Sequence, residues 1–377
     1  MVKFEEIDFR YINAEFIMTN GCNLRCDYCF ERQHVSEGRK VEFLDFETMC
    51  GYMELILKNR QDRETPAEVP SWVNFFGGEP MLNWKDILKL MNKYKDYGFF
   101  RYSIITNGLL VNEAVLQEAK GLPILWQISL DSVNPAGNEY RFKNRSKEFT
   151  AHVVEVIEQI HAYRFETPII SSTITDKSVT SMIETYHYFA EKRIPIKWQC
   201  ILERLGDQSA VIPEYDKQNR EILDLLVKNP FNIPSLWENV IGYFQAIRRG
   251  DSVPMVKALS EAASPNNIYI VGPSGRLYLN TNNVNAFDSI PEFSDIGGLP
   301  NGIDVEKLRN HPYLKQLSLD IGEDCLNCPS FAVNPCCIEQ KFFVYPRQFK
   351  GNCSSMLSAT AYALEFLQRR GQLNELR

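Results

Sequence analysis

The sequence predicts an α/β fold, a parallel sheet whose strands alternate with helices and curl into a partial (β/α)6 barrel. Three observations predict it. About six short apolar runs recur through residues 1–210, each bounded by turn residues. Stretches of helical period separate them, as in parallel strands joined by crossover helices. The chemically unusual residues fall repeatedly just after a strand, the end at which barrels of this kind collect their chemistry.

The first strand is read at Ala14–Thr19, before a cysteine loop and a helix near Phe46–Lys58. Trp72–Phe76 ends in Gly77-Gly78-Glu79-Pro80 and leads to a helix at about Trp84–Tyr94. Tyr102–Thr106 ends at Asn107-Gly108, ahead of a helix over about Glu113–Lys120. Ile124–Leu130 ends at Asp131, with an amphipathic stretch from Glu148 to Ile160. Ile169–Ile174 precedes a helix near Met182–Lys192, and Ile196–Ile201 closes the series. Beyond Pro213 the rhythm changes. Helices at about Tyr215–Val227 and Ser235–Arg248 lead to a hairpin, Ile268–Val271 and Arg276–Leu279, turned by Gly272-Pro273-Ser274-Gly275. A helix near Val305–Leu317, a second cysteine group and a helix from about Ser354 to Arg370 follow. The division is therefore a barrel over 1–210, a helical linker over 211–264 and a C-terminal domain over 265–377.

A chain of 377 residues with 44% hydrophobic and 24% charged residues can bury a large core. Its net charge of −7 offers no footprint for nucleic acid and disfavours an anionic membrane. No run approaches the roughly 20 apolar residues that span a bilayer. The segment Met1 to Tyr11 carries Glu5, Glu6 and Asp8 and lacks the features of a signal peptide, which predicts a cytoplasmic protein. In that reducing compartment, cysteines clustered at short spacing read as metal ligands or catalytic thiols rather than disulfides.

Eight of the ten cysteines fall into two groups, and Cys50 and Cys200 stand alone. The first is Cys22-Asn-Leu-Arg-Cys26-Asp-Tyr-Cys29, directly after a strand. Three thiolates from one short loop can hold three irons of a cubane cluster, which normally takes four cysteines. With no fourth cysteine nearby, one iron stays open to an exogenous ligand. The alternative is a zinc loop, which would want a fourth ligand and more often shows paired C-x2-C units.

This loop, with Tyr28 before its last cysteine, resembles the signature of the radical S-adenosylmethionine superfamily. The resemblance covers most of residues 15–205 and implies a partial TIM barrel, a 4Fe–4S cluster on Cys22, Cys26 and Cys29, and S-adenosylmethionine on the open iron. One electron from the cluster would cleave that cofactor to a 5′-deoxyadenosyl radical, which takes hydrogen from substrate. Gly77, Gly78 and Glu79 would receive the cofactor's amino group, successive glycines letting backbone approach a ligand closely. Thr106, Asn107, Ser129, Asp131 and Arg141 match the strand ends that contact the ribose and carboxylate in the family. Arg141 would offer a charge-assisted bond to the carboxylate. Against this, the bland reading of Arg141 is a surface ion pair. The sequence departs from the family where Ser132 replaces a common Gly and Gly137-Asn138 replaces a His-Asp pair.

The second group is Cys325, Cys328, Cys336, Cys337 and Cys353, enough thiolates to close another cluster. It is similar to the latter half of a SPASM domain, the C-terminal extension of radical enzymes that modify peptides and proteins, over about 265–360. The match is incomplete, because Asn280 stands where the family has a hairpin cysteine. The resemblance then implies a single auxiliary 4Fe–4S cluster, on Cys325, Cys328, Cys353 and one of Cys336 or Cys337, with zinc as the alternative. Alternation puts Cys200 on the same strand face as Trp198, as a small hydrophobe or as a thiol that returns hydrogen to a substrate radical. Cys50 reads as core, and the histidines lack ligand spacing.

The function these features imply is modification of a ribosomally made peptide, with a carbon–carbon or thioether cross-link favoured. Epimerisation with a cysteine hydrogen donor and formylglycine formation on a sulfatase are the enzymatic alternatives, and an iron–sulfur electron carrier is the non-enzymatic one. Such an enzyme needs a precursor peptide or protein and a reductant such as flavodoxin or ferredoxin. About twenty residues precede Cys22, so a leader peptide is expected to bind the barrel mouth, the C-terminal region or a separate protein.

Overall fold

The computed structural model describes residues 8–29, 40–163, 165, 167–200, 211–231, 237, 241–242, 268–278, 296–310 and 353–372. For Cys200, residues 353–357 and residue 359 this covers the backbone alone. The predicted alternation is present: β1 (Asn13–Ile17), α1 (Phe46–Asp62), β2 (Ser71–Phe76), α2 (Trp84–Tyr94), β3 (Phe100–Thr106), α3 (Glu113–Ala119) and β4 (Ile124–Ser129). It continues with two helices, α4 (Glu139–Phe142) and α5 (Ser146–Ala162), then β5 (Ile169–Ile174), α6 (Met182–Glu191), β6 (Ile196–Cys200) and α7 (Ile212–Lys228). Strands β1 to β6 pair in parallel and in chain order. This is the mixed α/β, partial-barrel architecture the sequence predicts.

Period-two alternation explains which face each strand buries. Ala14, Phe16, Val73, Phe75, Trp126, Ile128 and Trp198 belong to the core shared with the helices. Glu15, Asn74, Gln127, Ser171 and Lys197 point to the opposite face and retain exposure. The strands are thus alternating rather than uniformly apolar, because helices cover one face only. Helix α1 begins where Asp45 accepts from Thr48 N at 2.8 Å, and α3 where Asn112 accepts from Val115 N at 3.1 Å.

The hairpin β7 (Ile268–Val271) and β8 (Arg276–Tyr278) adds to this same sheet. Strand β7 lies parallel to β1, with Asn13 opposite Ile268 and Phe16 opposite Val271. Two short strands, β9 (Gly297–Gly298) and β10 (Gly302–Ile303), complete the described sheet ahead of helix α8 (Val305–Arg309). Helix α1 clamps the hairpin: Tyr52 donates to Gly275 O at 2.8 Å, and Asn59 donates to the Tyr269 hydroxyl at 2.8 Å. The C-terminal helix α9 (Cys353–Arg369) packs on α7, where the Tyr362 hydroxyl donates to Asp216 O at 2.8 Å and Arg369 pairs with Asp224 at 2.7 Å. Short helix α4 follows a turn at Pro135–Asn138, an insertion that the periodicity does not reveal. Most of the helix expected at Ser235–Arg248 and the end of that expected at Val305–Leu317 lie outside the described residues. Among the described residues no helix is long and apolar enough to cross a membrane.

Candidate active site

The cysteine loop is fastened where β1 and β2 end. Gly78 N donates to Thr19 O at 2.8 Å and Glu79 N to Gly21 O at 2.9 Å. A Cβ on Gly78 would lie 2.0 Å from Gly21 O, and one on Gly77, at φ +124°, would lie 2.5 Å from Thr19 O. The glycine pair is therefore required by the cysteine loop's own backbone, not by a ligand alone. On its other side the loop rests on α4, where Asp27 N donates to Tyr140 O at 2.9 Å and the Asp27 carboxylate pairs with Lys143.

Above the strand ends a cavity is lined by Cys22, Cys26, Cys29, Tyr28, Gly77, Gly78, Glu79, Thr106, Asn107, Ser129 and Arg141. Eleven positions singled out in the sequence thus meet in one place, although they span residues 22–141. Cys22 is exposed at the cavity, yet crowding by protein atoms pushes its thiol up to about 12, helped by Glu79 and the neighbouring cysteines.

Glu79 ties two strand ends together. Its Oε1 accepts from Thr106 Oγ1 at 2.6 Å and Met81 N at 3.1 Å, and its Oε2 from Asn107 N at 2.9 Å. Burial holds the carboxyl above the ordinary range, while these three hydrogen bonds act in the opposite direction. Asn107 in turn reaches the cysteine loop, its Nδ2 donating to Asn23 Oδ1 at 2.7 Å.

Asp131 does not line the cavity. It is 2% exposed, and its carboxylate accepts from Arg141 Nη2 at 2.7 Å, Thr173 N at 3.0 Å and the Tyr28 hydroxyl at 2.5 Å. These three partners surround the carboxylate. Arg141, read as surface in the bland alternative, is buried. Asn138 supports the hub from below: its Oδ1 accepts from Asp131 N at 2.9 Å and Ser132 N at 3.2 Å, and its Nδ2 donates to Thr150 Oγ1 at 3.0 Å.

Five further residues line the cavity without a motif to announce them: Leu24, Phe76, Ile105, Thr173 and Gln199. Thr173 and Gln199 are register partners near the ends of β5 and β6, so alternation along the predicted strands was the available signal. Gln199 faces the cavity, whereas its neighbour Trp198 is in the core. Cys200 sits opposite Ile174 by backbone register, but its side chain lies outside the described residues, as does that of Cys353. Cys325, Cys328, Cys336, Cys337 and Asn280 also lie outside them. Cys50 is buried in the core, as expected.

The cavity suits an iron–sulfur cluster with an amino-acid cofactor beside it. Its mouth offers three thiols on one loop, the soft donors such clusters take. Arg141 lines the cavity with one terminal nitrogen on Asp131, and the rest of its guanidinium fork is suited to a carboxylate.

Residues 16–188 match the family model described as the Radical SAM superfamily. Among curated relatives, the chain is 26% identical over 154 residues to the radical SAM cyclopropyl synthase TigE of Paramaledivibacter caminithermalis, covering 38% of this chain and 31% of that protein. It is 27% identical over 181 residues to a cysteine-type anaerobic sulfatase-maturating enzyme of Clostridium novyi, covering 46% of each. The matched segments thus span about a third to a half of those relatives' lengths. A solved structure, histidine-tagged anSMEcpe with bound AdoMet, superposes with a TM-score of 0.69 at 18% identity, covering 97% of this chain and 98% of that one. At that identity the likeness is one of fold. The family match makes S-adenosylmethionine and a 4Fe–4S cluster the cofactors of this domain.

Proposed function

We propose that this chain, which carries a radical SAM domain over residues 16–188, modifies a ribosomally synthesised peptide or a protein side chain, most simply by forming a cross-link. Cys22, Cys26 and Cys29 hold the cluster. The ends of β2 to β4 and Arg141 hold S-adenosylmethionine: Gly77, Gly78 and Glu79 form the wall for its amino group, and Ser129 and Arg141 meet its carboxylate. Thr106 and Asn107 keep the β3 end against Glu79. When bound, the pair supplies a 5′-deoxyadenosyl radical that takes hydrogen from substrate.

The observation that carries the peptide reading is the lining of the barrel's inner face. Phe76, Ser129, Thr173 and Gln199 line the cavity. Two residues earlier on the same strand faces stand Asn74, Gln127, Ser171 and Lys197. Packed barrels fill such positions with bulky branched residues. With Glu15 opposite Asn74, the tier is carboxylate, amide, hydroxyl and ammonium groups, which suits a substrate rich in hydrogen-bonding groups such as a peptide backbone. The names of the relatives lend support, since a sulfatase-maturating enzyme acts on a protein. Cys325, Cys328, Cys353 and one of Cys336 or Cys337 would hold one auxiliary cluster closed by four thiolates, which would supply a one-electron acceptor.

The test is to search beside this gene for an encoded short peptide and to analyse it by mass spectrometry after incubation in heavy water with reconstituted protein, S-adenosylmethionine and reductant. A cross-link removes two hydrogens. Epimerisation leaves the hydrogen count unchanged and incorporates deuterium. Turnover of a small molecule with no peptide modified would overturn the reading.

A further inference from the structure

We propose that Asp131 is a positioning residue, aiming the Arg141 guanidinium at the S-adenosylmethionine carboxylate and tying that aim to the order of the cysteine loop. The inference rests on the reading that Arg141 meets that carboxylate.

Asp131 sits at the end of β4, held from several sides. Its N–H donates to Asn138 Oδ1 at 2.9 Å, and its carbonyl accepts from Ser172 Oγ at 2.9 Å. The carboxylate then contacts three separate parts of the chain: α4 through Arg141 Nη2, β5 through Thr173 N, and the cysteine loop through the Tyr28 hydroxyl.

For Arg141 the pairing has a specific consequence. The guanidinium is a planar fork, and one terminal nitrogen is spent on Asp131. That bond sets the plane of a guanidinium that borders the cavity. A second carboxylate can thus bond the remaining donors in a fixed orientation. The pair also makes burial of the arginine tolerable, since side-chain exposures are 8% for Arg141 and 1% for Asp131. Without the aspartate the cation would be buried and uncompensated. Tyr28 lies with its ring 5.6 Å from the same guanidinium and its hydroxyl on the same carboxylate. Arg141 and the residue preceding Cys29 therefore share one anchor.

The experiment measures the dissociation constant for S-adenosylmethionine on anaerobically reconstituted full-length protein, read from the paramagnetic spectrum of the reduced cluster. Asp131→Asn keeps the shape and removes the charge. It is expected to raise the constant about tenfold or more, as for loss of a charged hydrogen bond, with iron per chain unchanged and KM for S-adenosylmethionine rising more than kcat falls. Tyr28→Phe, which spares the ion pair, should raise it by a smaller, severalfold factor. Arg141→Ala is the reference. If Arg141→Ala weakens binding and Asp131→Asn does not, the positioning role is wrong. If Arg141→Ala itself binds normally, the reading of Arg141 fails and the inference with it. Should Asp131→Asn fail to load its cluster, Tyr28→Phe decides: a weakened constant supports the proposal, an unchanged one overturns it.

Discussion

Ser132 and Gly137 share one space: a Cβ on Gly137 would lie 2.5 Å from Ser132 Cβ and 3.0 Å from its Oγ. Ser132 Oγ fills that space while bonding Ser181 Oγ at 2.7 Å. The two departures from the family pattern are thus reciprocal, with a side chain gained at one position and lost at the other. Gly137→Ala should destabilise the protein by about 1–3 kcal/mol through overpacking, and Ser132→Gly should relieve most of that in the double variant. Thermal or urea unfolding of the four proteins gives the coupling. Additive effects would show that the two positions do not compete.

Replacing Cys22, Cys26 and Cys29 together by Ala should abolish 5′-deoxyadenosine formation and remove one cluster's iron, leaving the C-terminal cluster in place. Chromatography of the reaction products with parallel iron analysis checks this. Unchanged cleavage would refute the cluster assignment.

Two cubanes, about eight irons per chain, are expected rather than the complement of a complete SPASM enzyme. The basis is Asn280 in the place of a hairpin ligand and the absence of cysteine between Cys200 and Cys325. Iron and sulfide determination with Mössbauer spectra tests it, and iron matching three cubanes would show the hairpin to be misread.

Gly78→Ala should displace the cysteine loop, since the added carbon would meet the Gly21 carbonyl at 2.0 Å and backbone cannot swing aside as a side chain can. The expected result is poor cluster loading, seen as iron per chain after reconstitution. Gly242→Ala serves as a comparison, because nothing lies within 4 Å of its added carbon. Equal loading in the two variants would remove steric contact as the reason for Gly78.

Local pattern alone determined much of this protein. The alternating strands and helices, the C-x3-C-x2-C loop after the first strand and the marked strand ends are properties of short segments, and periodicity and spacing are visible within them. What each marked residue touches was not legible. Gly78 reads as a ligand cradle, and only the fold shows that the Gly21 carbonyl packed against it needs a glycine there as well. Asp131 reads as a strand-end carboxylate, and only the fold shows Tyr28, Arg141 and Thr173 around it. Gln199 carries no motif and becomes part of the cavity wall only when β6 closes the partial barrel. Most of those partners lie tens of residues away along the chain. Parallel pairing brings successive strand ends to one rim, and only that packing decides whether a polar group there faces a ligand or another part of the protein.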